Sequence, residues 1–455
     1  MQLVKELKYL KTIILTHRPV VDKGWFDDFL KIFNDTNNAY VYVSKNQGES
    51  PNKISSFSRK RTPFVYFASM QDLRGSEKVG GKFDKNDDIF KIDWDLVIID
   101  EAHEGTQTEL GQSVIQELKK EETIMLHLSG TPFNIISGFK DEQVYTWDYV
   151  MEQKMKEEWD KLHFGDSNPY AMLPKLNIYT FDLGELLERF EDDDKAFNFT
   201  EFFRVWTGVP KKDRRQMPPK AKVGDFIHET DIKKFLNLIT KDSADSYFPY
   251  SNEDFRNNFR HSLWMIPGVK EAQALSKMLK AHPIFGQFEI INVAGNGDED
   301  EENDNALKMV LEKISDNPDE TRTITLSCGR LTTGVTVPAW TAVFMLAGSY
   351  NTAASTYMQT IFRVQSPATI NGRVKEDCFV FDFAPDRTLK VVAEAARVSA
   401  KKAVSQSDSI LMGNLLNFMP IISVCGTQMT AYSVEKMLAK LKEAYIDRVV
   451  NNGFE

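Results

Sequence analysis

The sequence predicts an α/β protein built on two parallel sheets with helices on their faces. Three observations carry that prediction. Short, β-branched, almost continuously apolar segments recur along the chain. Connectors long enough for helical crossovers separate them. The segments also fall into two sets, divided by a stretch of different character.

The first set lies within residues 1–140 and comprises TIILTH (12–17), AYVYVS (39–44), FVYFAS (64–69), LVIID (96–100) and IMLHLSG (124–130). A strand buried on both faces loses the in–out alternation of a half-exposed strand, so its apolar run is nearly unbroken. Residues 141–260 read differently. They hold helical patterns, NPYAMLP, the acidic run EDDDK and the basic run KKDRRQMPPKAK, and they are read as a linker plus a largely helical insertion. The second set, within 261–390, comprises HSLWMIPG, FEIINVAG, TITLSCG, AVFML and CFVFDFA. From residue 391 to 455 the pattern turns helical. It closes on SVEKMLAKLKEAYIDRVV, where Ser433 is placed to cap the helix and Val434, Met437, Leu438, Leu441 and Tyr445 form one apolar stripe.

Composition excludes several classes. At 455 residues the chain is too long for one ordinary core, and 42% hydrophobic with 27% charged residues is a globular balance. No apolar run approaches the length of a membrane span, and none follows the first basic residues as a signal peptide would. Cys328, Cys378 and Cys425 lie too far apart for a disulfide framework or a zinc site, which makes a reducing cytoplasm the simplest home. A net charge of −10 argues against a wholly basic nucleic-acid coat, so phosphate contacts must come from local patches.

The stretch DLVIIDEAHEG (95–105) carries the chemistry. An apolar strand runs straight into Asp100, Glu101, His103 and Glu104. In an open parallel sheet ligands collect at the carboxyl ends of the strands. Two adjacent acids there can serve a metal ion and a water, as nucleotide hydrolysis requires. An ordinary strand meeting an acidic turn is the plain alternative. A zinc-peptidase helix is not, because Gln107 stands where its second histidine belongs.

IIDEAHE followed by LHLSGTPF resembles motifs II and III of the superfamily-2 DEAD/DEAH-box helicases and translocases. Further segments resemble the family's motifs in the same order: ILTHRP motif Ia, FASMQDLRG the segment before motif II, HSLWMIPG motif IV, GRLTTGVTVP motif V and YMQTIFRVQSP motif VI. The wording of the last two is similar to helicase subunits of type III and type I restriction enzymes. The resemblance covers residues 12–384 apart from the insertion. It implies two RecA-like domains, ATP and Mg²⁺ as cofactors, DNA as the track, and an attached or associated nuclease or methylase module.

The resemblance also assigns roles. Asp100 would hold Mg²⁺, directly or through water, and Glu101 would orient and deprotonate the attacking water. His103 would couple the nucleotide site to the hydroxyls of Ser129 and Thr131. Thr333 and Gly334 would sit between nucleotide and nucleic-acid backbone. Gln359 and Arg363 would reach across the cleft between domains, Arg363 as the arginine finger. Thr16, His17 and Arg18 after the first strand, and Ser69, Gln71 and Arg74 after the third, would touch phosphates without reading bases.

Two departures stand out. Ser366 occupies the place of the family's second motif VI arginine, which leaves Arg363 to act alone or with Arg330. No G-x-x-x-x-G-K-[ST] phosphate loop occurs anywhere. In the nearest string, GSEKVGGKF, Gly81 takes the lysine position and Phe83 follows Lys82, so it reads as a solvated loop. The expectation is therefore of a motor cut from a longer polypeptide, with little activity of its own, and the alternative is that another chain supplies the missing loop. An RNA helicase of the same superfamily, and a non-catalytic nucleic-acid-binding module, are the rivals. In the basic run, Lys211, Lys212, Arg214, Arg215, Lys220 and Lys222 read as a solvated loop with a duplex-gripping role as the alternative. The acidic run Asp298 to Asp304 reads as a loop between strand and helix.

Overall fold

The structure is a computed structural model. It describes residues 1–439 except 18, 35–38, 83–85, 104–108, 133–134, 182, 184–188, 191–196, 209–221, 243–245, 296–299, 333–334, 350–351, 371, 400–407 and 426–427. The chain divides into two compact units, Met1–Lys140 and Asp141–Glu455.

Unit 1 carries β1 (Lys11–Thr16), β2 (Val41–Val43), β3 (Phe64–Ser69), β4 (Leu96–Asp100) and β5 (Ile124–His127). They form one parallel sheet in the order β2-β3-β1-β4-β5. Ile13, Leu15, Phe64, Tyr66, Val97 and Ile99 pack into a core on one face. Their neighbours Ile14, Val65, Phe67, Leu96 and Ile98 pack into a second core on the other. Burial on both faces is why these strands read as unbroken apolar runs. The register lines up the strand ends: Thr16 of β1 sits opposite Ser69 of β3 and opposite Asp100 of β4.

Unit 2 carries β6 (Lys175–Phe181), β7 (His261–Met265), β8 (Glu289–Asn292), β9 (Thr323–Ser327), β10 (Ala342–Met345), the short hairpin β11 (Thr369–Ile370) and β12 (Arg373–Val374), β13 (Asp377–Asp382), β14 (Ile421–Cys425) and β15 (Gln428–Ala431). Eight of these make a second sheet in the order β15-β14-β6-β13-β10-β7-β9-β8, parallel except for the β14–β15 pair. Its core is aromatic. Buried Tyr250 packs against Phe259, Trp264, Phe285, Phe288 and Phe344, and its hydroxyl meets Ser262 Oγ at 2.9 Å. The architecture is α/β, two units built on largely parallel sheets with helices between their strands.

Three details differ from the sequence expectations. The segment 141–260 adds a strand, β6, to its helices, and the segment after residue 390 adds β14 and β15. Asp300 to Asp304 of the acidic run open the helix Asp300–Ile314 rather than lying in a loop. A helix N-terminus carries partial positive charge, which makes a first turn of acids favourable. GSEKVGGKF is not a fully solvated loop. It folds as a 3₁₀ turn, Glu77–Val79, with Ser76 and Val79 buried and Lys82 exposed. Ser433 does cap the last helical turn, accepting from Lys436 N at 3.3 Å, and Met437 is buried. Leu441 and Tyr445, and the basic run except Lys222, lie outside the described residues.

Candidate functional site

Four apolar residues bring β4 out of the core, and the chain turns sharply at its end. Glu101 has φ +50°, a left-handed conformation uncommon outside glycine. Such backbone strain persists only where surrounding structure enforces it, and it concentrates at functional sites. Here the enforcing contacts are visible. Ala102 N donates to Leu128 O at 2.8 Å, and Leu128 N donates to Ile99 O at 2.9 Å, which ties the turn after β4 to the end of β5.

That tie gathers the side chains. Asp100 Oδ2 accepts from the indole Nε1 of Trp25 at 2.9 Å, and Oδ1 accepts from Glu101 N at 3.0 Å. Burial pushes the Asp100 carboxyl above its ordinary pKa, while the Trp25 and Glu101 hydrogen bonds pull against it. His103 stands between the ends of β4 and β5. Its Nδ1 lies 2.8 Å from Ser129 Oγ and 3.4 Å from Glu101 Oε2, and its Nε2 lies 3.3 Å from Thr131 Oγ1. Thr131 is buried, and its amide donates to Ser129 Oγ at 3.2 Å. Asp100, Glu101, His103, Ser129 and Thr131 thus form one connected cluster at the carboxyl end of the first sheet. An imidazole between a carboxylate and two hydroxyls can relay a shift in one to the other.

The neighbouring strand ends hold the proposed backbone-contact residues. Thr16 and Ser69 are buried there. Ser69 Oγ caps the helix Met70–Arg74 by accepting from Asp72 N at 3.1 Å, so its first visible work is structural. Exposed Gln71 donates from Nε2 to His17 O at 2.7 Å, and Arg74 is partly buried on the same short helix. Arg18 lies outside the described residues.

In unit 2 the helix Ala354–Ile361 and the turn Phe362–Gln365 carry Gln359 and Arg363. Arg363 donates from Nε to Gln359 O at 3.1 Å and from Nη1 to Val335 O at 2.6 Å. The first bond closes the helix end, the plain role for an arginine there. The second ties this helix to the segment that follows β9. In that segment Ser327 Oγ donates to Arg330 O at 2.5 Å, Leu331 has φ +62°, and the Arg330 guanidinium lies against Gly295 so closely that a Cβ there would collide with it. Thr333 and Gly334 lie outside the described residues. Ser366 ends the turn after Arg363.

One residue at the site was invisible to motif reasoning. Trp25 lies on the amphipathic helix Asp22–Ile32, where a tryptophan reads as core, and nothing in its spacing points to Asp100.

Residues 1–134 match the family model described as type III restriction enzyme, res subunit. A putative type II restriction enzyme and methyltransferase of Mycoplasma pneumoniae, C-terminal part, is 28% identical over 484 residues, covering 92% of this chain. The chain spans 63% of that relative's length. Among solved structures, the ATP-dependent type ISP restriction-modification enzyme LlaBIII bound to DNA covers the whole chain at 12% identity and a TM-score of 0.47, over 30% of its own length. S. cerevisiae Dbp5 bound to RNA and ADP BeF3 covers 96% of the chain at 10% identity and a TM-score of 0.38, over 81% of its own length. Residues 1–134 thus resemble the res subunit of type III restriction enzymes, and the chain as a whole resembles a superfamily-2 helicase of the restriction-enzyme kind.

Proposed function

We propose that this chain is the motor part of a restriction-enzyme-like DNA translocase that hydrolyses ATP. The observation that carries the reading is the strand-end cluster, in which Asp100 and Glu101 at a strained turn are wired through His103 to Ser129 and Thr131. Family likeness supports it: a res-subunit domain over residues 1–134, and a relative named as a restriction enzyme and methyltransferase. That relative also supports an attached or associated methylase or nuclease module.

The donor set of the site fits a magnesium ion. Asp100 offers hard oxygen atoms at the end of a strand. Among the described residues, no three His, Cys, Asp or Glu side chains gather as a metal cage. Mg²⁺ commonly takes one or two carboxylates and completes its shell with water and phosphate oxygens. Asp100 would hold it, and the ion would offset the charge of the nucleotide phosphates. Glu101 would take a proton from the attacking water. His103 would keep Glu101 in register with Ser129 and Thr131. Arg363 would place a planar guanidinium where charge spreads over the transferred phosphoryl oxygens. Thr16, Arg18, Ser69, Gln71 and Arg74 would grip the nucleic-acid backbone, and Thr333 and Gly334 would sit between the nucleotide and that backbone. With DNA as the track, the work would be done in the cytoplasm. No described helix is long and apolar enough to cross a membrane.

A phosphate loop is the missing part. The 455 residues contain no G-x-x-x-x-G-K-[ST], so no glycine-rich cradle and lysine are available for the β- and γ-phosphates. That favours a second reading, a nucleic-acid-binding module without turnover. One experiment separates the readings and the choice of nucleic acid. The polypeptide that contains this chain is assayed for ATP hydrolysis with no nucleic acid, with duplex DNA and with RNA. Strong stimulation by DNA supports the translocase, and stimulation by RNA alone makes it an RNA motor. No hydrolysis under any condition leaves the binding module.

A further inference from the structure

The Asp100 carboxylate is held by a side chain that belongs to none of the motif-like segments. Trp25 donates its indole N–H to Asp100 Oδ2 at 2.9 Å. An indole N–H is a donor only, on a flat rigid ring, and pH cannot remove it across the range in which proteins fold. Its position depends on the helix Asp22–Ile32, and that helix is bolted down at both ends. At its first turn the buried Asp22 carboxylate accepts from Tyr42 Oη at 2.9 Å and from Ser44 Oγ at 2.8 Å, both on or just after β2. Along its length Phe26 and Phe29 pack on the Tyr42 ring with centroids 5.2 and 5.4 Å apart, and Phe33 packs on Tyr40 at 4.6 Å. Asp22 performs no step of the proposed reaction, so its burial is explained by this anchoring. The chain of contacts runs from β2 through Asp22 and the helix to Trp25, and ends on Asp100.

We infer that Trp25 is a positioning residue for Asp100, fixing the carboxylate in one rotamer so that its remaining lone pairs face the metal and nucleotide rather than rotating freely. The inference rests on the role proposed above for Asp100. A carboxylate that is already oriented loses less freedom when it takes up a cation. Partners that orient a metal-binding group in this way typically matter about 10- to 100-fold in metal affinity or activity. The bland alternative is that Trp25 is simply a core residue whose N–H found the nearest acceptor.

Two substitutions in the polypeptide that contains this chain tell these apart. Trp25→Phe keeps an aromatic ring in the packing and removes the donor. Trp25→Gln loses packing and restores an N–H at similar reach. Mn²⁺, as a spectroscopic stand-in for Mg²⁺, is titrated by electron paramagnetic resonance with ATP present, and thermal melting of each variant is recorded alongside. A purely structural residue ranks Phe above Gln in every measurement. Positioning predicts crossed orders, with Phe above Gln in melting temperature and Gln above Phe in Mn²⁺ affinity. Trp25→Phe should weaken Mn²⁺ binding about tenfold or more, with DNA affinity unchanged. If wild-type protein binds Mn²⁺ and hydrolyses ATP while Trp25→Phe binds Mn²⁺ as tightly, the inference is overturned and the proposed function stands. If wild-type protein neither binds Mn²⁺ nor hydrolyses ATP, both fall.

Discussion

Replacing Asp382 by Asn should destabilise unit 2 more than any surface change of similar size. Asp382 ends β13, and its carboxylate is fully buried with the guanidinium of Arg387. Oδ1 accepts from Arg387 Nη2 at 2.6 Å and from Ala384 N at 2.9 Å. Oδ2 accepts from Tyr357 Oη at 2.9 Å, Thr388 Oγ1 at 2.8 Å and Arg387 Nε at 3.2 Å. Arg387 also donates to the carbonyls of Met345, the last residue of β10, and Ala347 just beyond it, and its guanidinium lies 5.1 Å from the Phe199 ring centroid. The network therefore fastens β10, β13 and the helix that carries Tyr357, two residues before Gln359. Asp382→Asn removes the only carboxylate in it and strands a buried cation. Breaking a buried pair on one side costs about 3–5 kcal/mol. For a unit of this size each kcal/mol moves the melting temperature by roughly 2–4 °C, so the expected fall is on the order of 10 °C. The double replacement Asp382→Leu/Arg387→Met, which removes both charges together, should cost less than the two single changes summed, by about 1–3 kcal/mol. Urea unfolding followed by circular dichroism measures wild type, Asp382→Asn, the two single changes Asp382→Leu and Arg387→Met, and the double replacement. A loss below about 1 kcal/mol for Asp382→Asn, or strict additivity in the cycle, would refute this reasoning.

Other outcomes follow from the same geometry. Arg363→Ala should lower ATP turnover by roughly a thousandfold or more, and Arg363→Lys should rescue little, because a point charge cannot replace the planar fork. A variant keeping more than about a tenth of wild-type kcat would leave Arg363 a structural role, to which its bonds to Gln359 O and Val335 O contribute. DNA binding should be independent of sequence and should weaken roughly a thousandfold or more between low and physiological salt, as several backbone contacts require; filter binding on unrelated duplexes checks it, and a flat salt response contradicts it. His261 gives a pH dependence of stability. Its Nδ1 meets Thr323 Oγ1 at 2.9 Å and its Nε2 meets Pro318 O at 2.7 Å, so the neutral ring donates from Nε2, and burial lowers its pKa to about 4. The unfolded chain therefore takes up a proton first as pH falls. Roughly 3 kcal/mol of stability is present above the ordinary histidine value and lost between there and about pH 4. His261→Gln should flatten that acid limb of the melting profile, and an unchanged limb would assign it to other groups.

How much of this could be read from the sequence depended on how the physics writes itself locally. Strands buried on both faces leave unbroken apolar runs, so β1, β3, β4, β7, β9, β10 and β13 stood out. β6 did not, because Lys175, Asn177 and Tyr179 are only partly buried and interrupt Leu176, Ile178 and Thr180. Its two-residue alternation was the available signal. β14 and β15 were masked by the helical stretches around them. At the site, the strand-end acids and the hydroxyls after β5 were legible because they are contiguous in sequence, and the structure brings them together. Long-range partners were not legible. Trp25 reaches Asp100 across 75 positions, and Arg387 reaches the carbonyls of Met345 and Ala347 across 42 and 40. No local pattern encodes such a pairing.

The central claim is that Glu101 serves as the base of ATP hydrolysis while the rest of the cluster holds it in place. Steady-state hydrolysis by Glu101→Gln, in the polypeptide that contains this chain and with saturating duplex DNA, tests it most directly. Glutamine keeps the shape and cannot accept the proton. Turnover should fall by about 10²–10⁴-fold, the usual contribution of a positioned general base, with KM for ATP and DNA affinity little changed. If Glu101→Gln retains more than about a tenth of wild-type turnover, Glu101 is not the base and the account of this site fails.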